Sequence, residues 1–153
     1  MLKQIAILTT FLLTLAGVAQ AAPRLSFDPV KGSGETVTLQ VTLTSDGAQL
    51  AALGANIGYD ITALEYQTVT AGTAAIAAKK DVKISSPSPG MLRLGILGVN
   101  SSSIGNGIVA VMTFSKKLGA NPKKLEFKYS VSGADQAGEA VKVGVSKPDP
   151  LSH

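Results

Sequence analysis

The chain contains no cysteine and no tryptophan, and its one histidine is His153, the last residue. Without cysteine there are no disulfide staples, no thiolate metal sites and no cysteine nucleophile. Without an internal histidine, acid–base and metal chemistry lacks its usual side chain at neutral pH. Aromatic residues are 5% of the 153, and charged residues are 16%, well below the usual share of about a quarter. The formal net charge of +4 is too mild to argue for nucleic acid or an anionic membrane as partner. What the chain does have is apolar and small: 45% hydrophobic residues, 16 glycines and abundant Ser and Thr. That apolar fraction excludes a disordered chain, and the length suits one domain.

The first residues read as a targeting segment. Lys3 is followed by an apolar stretch from Ile5 to Val18, interrupted by Thr9, Thr10, Thr14 and Gly17, and then by Ala19-Gln20-Ala21. A short positive region, an apolar run and an A-x-A site describe a secretory signal peptide cut after Ala21. The run is shorter than the roughly 20 residues of a transmembrane helix. No cysteine follows it, which excludes a lipoprotein. The expected organisation is therefore a leader over 1–21, a domain over 22–146 and a flexible tail over 147–153, where Pro148 and Pro150 stand. The expected product is secreted, periplasmic or extracellular, and not embedded in a membrane.

Beyond the leader, apolar and polar residues alternate with period two between clusters of Gly, Asn, Asp and Pro. Thr36 to Thr44 is the clearest case: Val37, Leu39, Val41 and Leu43 point one way, and Thr36, Thr38, Gln40 and Thr42 the other. The same reading predicts strands near 25–30, 50–59, 65–70, 82–85, 91–97, 107–115, 125–132 and 141–145. Asp60 to Leu64 fits a single helical turn capped by Asp60, and Ala71 to Ala78 a short crowning helix. About nine short strands in one small chain mean a sandwich or barrel.

Three segments carry a family resemblance. They are Gly34-Glu35-Thr36-Val37-Thr38-Leu39-Gln40-Val41-Thr42-Leu43, then Gly54 to Glu65 with Val69-Thr70-Ala71-Gly72, and then Gly90 to Leu97 with Ile104 to Phe114. Gln136 to Val141 fits a final hairpin. In order and spacing they resemble the cohesin family, the β-sandwich modules of bacterial scaffolding proteins, over roughly residues 25–146. The resemblance implies an all-β, nine-stranded jelly-roll in two sheets with at most one short helix. It also implies recognition of calcium-loaded dockerin modules of secreted polysaccharide-degrading enzymes. Two positions depart from the family pattern. Ile61 stands where Pro usually follows the Tyr-Asp corner, and Ala52 and Gly54 stand where dockerin-binding members present polar residues.

Other motifs read as structural. Gly105-Asn106-Gly107 and Gly32-Ser33-Gly34 precede strands rather than helices, so they predict hairpin turns and not phosphate cradles. Asn100-Ser101-Ser102 has the form of a glycosylation sequon. The ten carboxylates are scattered, mostly at turns, whereas a glycosidase needs two facing each other about 5–10 Å apart. No catalytic residue, cofactor or metal site is predicted, and the chain reads as a non-enzyme. Among the tyrosines, Tyr59 and Tyr129 fall in phase with core residues, and only Tyr66 reads as exposed for sugar stacking.

Period two forces another set outward on the strands of the family's recognition sheet: Asn56, Lys83, Arg93, Leu97, Lys124, Glu126 and Lys128. With Gly54, Gly58 and Gly95 they predict a flat, partly apolar face with a basic rim, against which a partner backbone can lie close. The expected function is a secreted, non-catalytic binding module for an exported protein, dockerin-like or a surface protein, linked to polysaccharide catabolism. The alternatives are a carbohydrate-binding module, with polysaccharide as the partner, and a structural subunit of a cell-surface assembly.

Overall fold

Where the sequence alternates, the chain is strand. In the computed structural model, which describes residues 21–31, 34–120 and 125–146, the order is β1 (Arg24–Lys31), β2 (Thr36–Thr44), β3 (Leu50–Gly58), β4 (Leu64–Ala71), α1 (Thr73–Ala77), β5 (Asp81–Ser88), β6 (Met91–Leu97), β7 (Gly107–Lys116), β8 (Lys128–Asp135), β9 (Ala140–Val141) and β10 (Gly144–Ser146). The expected leader and tail, apart from Ala21, fall outside the described residues, as does Lys124. No helix among the described residues is long and apolar enough to cross a membrane.

The strands form two five-stranded sheets, β10-β1-β2-β7-β4 and β5-β6-β3-β8-β9. Pairing is antiparallel except for β1 with β10, which run parallel. The sheets stack through their apolar faces. Phe27, Leu39, Val41, Met112 and Phe114 from one meet Leu53, Ile57, Leu92, Leu94 and Ile96 from the other, all buried. Each such side chain contributes roughly 1.5–3 kcal/mol by leaving water. Six rings concentrate in this interior. Phe27 stacks on Tyr129 with centroids 4.0 Å apart, and Phe114 meets Phe127, Tyr59 and Tyr66 at 5.1, 5.3 and 5.8 Å. Tyr66 therefore differs from its expected exposure: it is half-buried with its edge on Phe114.

The two helical expectations hold. The amides of Ala63 and Leu64 donate to the Asp60 carbonyl at 3.1 and 2.9 Å, while Asp60 Oδ1 accepts from the Thr62 amide at 2.8 Å. Helix α1 crowns the sandwich at Gly72, where a Cβ would lie 2.2 Å from the Ile108 carbonyl oxygen, so only glycine lets it approach β7. Three segments differ from expectation. β8 begins at Lys128 rather than 125 and runs on to Asp135. The expected last strand is split: β9 pairs with β8 in one sheet, β10 with β1 in the other, and Val143 is buried where the chain crosses between them. Gly105-Asn106-Gly107 makes no hairpin, because β6 and β7 belong to different sheets. It ends the crossover between them, pinned where the Ser45 amide and hydroxyl donate to Asn106 Oδ1 at 2.7 and 2.8 Å.

Candidate functional site

On the outer face of the β5-β6-β3-β8-β9 sheet, the register lines residues up in rows across the strands. One row is Ser85, Arg93, Asn56 and Ser130. It is a polar ladder: Arg93 Nε donates to Asn56 Oδ1 at 3.3 Å, and Asn56 Nδ2 donates to Ser130 Oγ at 3.2 Å. The next row is Lys83, Gly95, Gly54 and Ser132, with two adjacent strands carrying no side chain. Beyond it lie Leu97, opposite Asp81, and Ala52, opposite Ala134. The missing side chains leave a shallow trough of about 370 Å³, with the ladder at one border and Leu97 and Ala134 toward the other. Ser132 Oγ lies 2.8 Å from where a Gly54 Cβ would sit, and Leu97 Cδ2 3.2 Å from that of Gly95, so both lean into the gap. Leu97 remains 49% exposed.

Of the residues predicted to face a partner, Asn56, Lys83, Arg93, Leu97 and Lys128 share this face. Lys128 stands opposite Gly58. Glu126 is exposed two residues ahead of β8, and Lys124 lies outside the described residues. Lys83, Arg93 and Lys128 form no ion pair with any described residue; the pair that does form joins Arg24 to Asp46 at 3.2 Å, elsewhere on the molecule. The sequence reading missed Ser132, although it lies in phase with Ser130 inside the expected strand, and missed Ala134 because that strand was expected to end at 132. Carrying the period two residues further would have found Ala134.

A second polar feature carries no sequence signal. Of the adjacent Lys79 and Lys80, the first is exposed with φ at 54° and the second is 4% exposed. Lys80 Nζ donates to both the Asn100 carbonyl and Asn100 Oδ1 at 2.8 Å, and Asn100 Nδ2 donates back to the Lys79 carbonyl at 3.0 Å. This clamp fixes the start of the β6–β7 crossover, and it occupies the carboxamide of the apparent sequon. A buried ammonium held by two carbonyl oxygens keeps its hydrogen bonds where water is excluded.

The remaining chemistry is sparse. Among the described residues no three of His, Cys, Asp and Glu come together as a metal site, and no aromatic ring is exposed. The two tyrosines with displaced titration are core residues. Burial raises the Tyr129 hydroxyl far above its ordinary value, with the Asp28 carboxylate adding to the effect, and burial alone raises Tyr66.

Among curated proteins, no sequence matches this chain. Solved structures do. The sixth cohesin of scaffoldin B from Acetivibrio cellulolyticus, solved with a mutant dockerin, has a TM-score of 0.69 at 24% identity, covering 82% of this chain and 95% of that one. The OlpA cohesin of Clostridium thermocellum, in a type I complex with a dockerin, has a TM-score of 0.66 at 12% identity, covering 82% and 94%. A non-cellulosomal cohesin from the hyperthermophilic archaeon Archaeoglobus fulgidus has a TM-score of 0.63 at 16% identity, covering 82% and 86%. At these identities the likeness establishes the fold, a cohesin β-sandwich. The family model described as Cohesin domain matches residues 28–147, most of the length, and on that match the chain belongs to the cohesin domain family.

Proposed function

We propose that this protein is a non-catalytic recognition module that holds another exported protein, a dockerin-type partner, against the outer face of the β5-β6-β3-β8-β9 sheet. The observation that carries this reading is the trough at Gly54 and Gly95, bordered by the Arg93–Asn56–Ser130 ladder and the exposed Leu97. A partner backbone or helix can approach closest where two neighbouring strands carry no side chain. Leu97 supplies an apolar anchor, and Arg93, Lys83 and Lys128 supply cations without a carboxylate partner among the described residues. Buried apolar and arginine anchors carry most interface energy, while rim charges set association rate and salt dependence. Ala52 and Gly54 offer no side-chain acceptors, so the partner's polar groups are met by the ladder instead. Export follows from the leader-like first 21 residues. Carbohydrate binding by ring stacking is disfavoured, because all six rings outside the leader pack inward.

The test is capture from the host's secreted proteins on immobilised protein, beside a polysaccharide gel-shift. A specific protein partner, lost on Leu97→Asp and Arg93→Ala, is the expected result. A gel-shift without a protein partner reverses the reading in favour of a carbohydrate-binding module.

A further inference from the structure

The chain has four asparagines, Asn56, Asn100, Asn106 and Asn121, and their surroundings differ in a way that bears on their chemistry. A side-chain carboxamide is open to attack by the backbone nitrogen of the next residue, provided that nitrogen carries a proton to lose and the residue is small and conformationally free. Asn121 precedes Pro122, which has no N–H. Asn56 lies within β3, before the β-branched and buried Ile57. Asn100 has both carboxamide atoms engaged by the Lys79–Lys80 clamp. Asn106 is exposed and precedes Gly107, which has no side chain and sits at φ 133°. Asn106 Oδ1 also accepts two hydrogen bonds from one residue, from the Ser45 amide at 2.7 Å and the Ser45 hydroxyl at 2.8 Å. Two donors on a carbonyl oxygen stabilise the negative charge that develops there when a nucleophile adds to its carbon.

We propose that Asn106–Gly107 is a self-modification site, at which Gly107 N attacks Asn106 Cγ while Ser45 acts as the oxyanion hole. The N–Cγ bond forms as the Gly107 amide gives its proton to solvent base. The charge passes to Oδ1 under the two Ser45 donors. The tetrahedral centre then collapses, the Cγ–Nδ2 bond breaks, and the amide nitrogen leaves as ammonia after taking a proton. Water opens the resulting succinimide to aspartate or isoaspartate, so the net change is one water consumed and one ammonia released. In the aspartate product Oδ1 is a carboxylate oxygen under the Ser45 donors, and in isoaspartate it is the carbonyl oxygen of the new peptide bond. The isoaspartate form adds one carbon to the main chain in residue 106, immediately before Gly107, which begins β7 opposite Leu43. The site thus makes the joint between the crossover and β2 time-dependent.

The experiment is incubation of the purified full chain in mildly alkaline buffer, with peptide mass spectrometry and isoaspartate detection over time. The expected result is conversion at Asn106, with Asn56, Asn100 and Asn121 intact, and a rate rising with pH. Ser45→Ala, which removes the hydroxyl donor and keeps the amide, should slow conversion about tenfold, given the 10²–10³ that an oxyanion donor is worth in an enzyme. A matched thermal melt checks that this variant is folded. Wild-type chain unfolded in urea should also convert more slowly than the folded chain, because it has lost both donors. Asn106 that stays intact in the folded chain but converts in urea overturns the proposal, since the fold would then be protecting it. Ser45→Ala converting as fast as wild type overturns it equally.

Discussion

The two sheets share a fold and a core but present different faces to water. On the β10-β1-β2-β7-β4 sheet every position in a central row carries a side chain. Val30, Thr38, Thr113 and Thr68 line up across four strands, and Asp28, Gln40, Val111 and Thr70 line up beside them. β-Branched residues and cross-strand pairs pave that face. On the other sheet the equivalent run is Lys83, Gly95, Gly54 and Ser132, and the pavement is interrupted. Glycine inside a strand weakens it by roughly 0.5–1 kcal/mol relative to alanine. Two on neighbouring strands are a cost in stability that the first sheet avoids, which marks the second face as the one shaped by something other than stability.

The most disruptive way to break the comparison is to remove what the sheets hold in common. Phe114 on β7 touches Tyr59, Tyr66 and Phe127, so it joins the two layers. Phe114→Ala should cost about 3–5 kcal/mol in denaturant unfolding, with one transition for both sheets. Two separate transitions would show that they are independently stable.

A smaller effect should separate the faces. Leu97→Asp should cost more than about 2 kcal/mol of partner affinity and leave the melting temperature nearly unchanged, because Leu97 is half-exposed. Thr38→Ala on the opposite face should leave affinity unchanged. Equal losses from both, measured by titration calorimetry, would put the partner elsewhere, and the loops around 71–80 and 101–103 would be next.

Much of this was legible because a two-residue period assigns each strand residue to a face without knowledge of the fold. It put Arg93, Leu97 and Lys128 outside, and Leu92, Leu94 and Ile96 inside, where they are. It did not show which strands are neighbours. The Arg93–Asn56–Ser130 ladder depends on β6, β3 and β8 lying side by side, which comes from long-range pairing and, in the sequence, only from family resemblance. Loops were read least well. Lys80 lies in a Lys-Lys pair that looks solvent-exposed, and only the tertiary position of Asn100 explains its burial. Gly105-Asn106-Gly107 carries a hairpin signature, but the sheet order makes it a crossover.

Paving the trough sharpens the comparison further. A Cβ at Gly54 would meet the Ser132 hydroxyl at 2.8 Å, which a rotation of that short side chain relieves. Gly54→Thr gives the strand a favoured residue type and fills the gap. Unfolding stability should rise by up to about 1 kcal/mol while partner binding falls. If stability rises and binding is unaffected, the trough is a packing feature and not the seat of the partner.

The smallest effect at neutral pH concerns the inner side of β8, the strand that carries Ser132. Tyr129 stacks on Phe27 while its neighbours Ser130 and Lys128 face out. Its hydroxyl holds its proton well above the ordinary range, because burial opposes the phenolate and the Asp28 carboxylate adds like-charge repulsion. In the unfolded chain the same group ionises near its ordinary pKa of about 10. Below that pH both states are protonated, and the group gives stability no slope. Above it the unfolded chain has lost a proton that the folded chain retains, so stability falls by at most about 1.4 kcal/mol per pH unit until the folded state also ionises. Tyr129→Phe keeps the ring stack and removes the titrating group. It should be nearly neutral at pH 7 and should flatten the alkaline decline, leaving the weaker contribution of Tyr66, which burial shifts the same way. Urea unfolding of both proteins from neutral to strongly alkaline pH reads this directly. Parallel curves would mean that the Tyr129 hydroxyl is solvated in the folded state and that this end of the sandwich is more open than the stacked rings indicate.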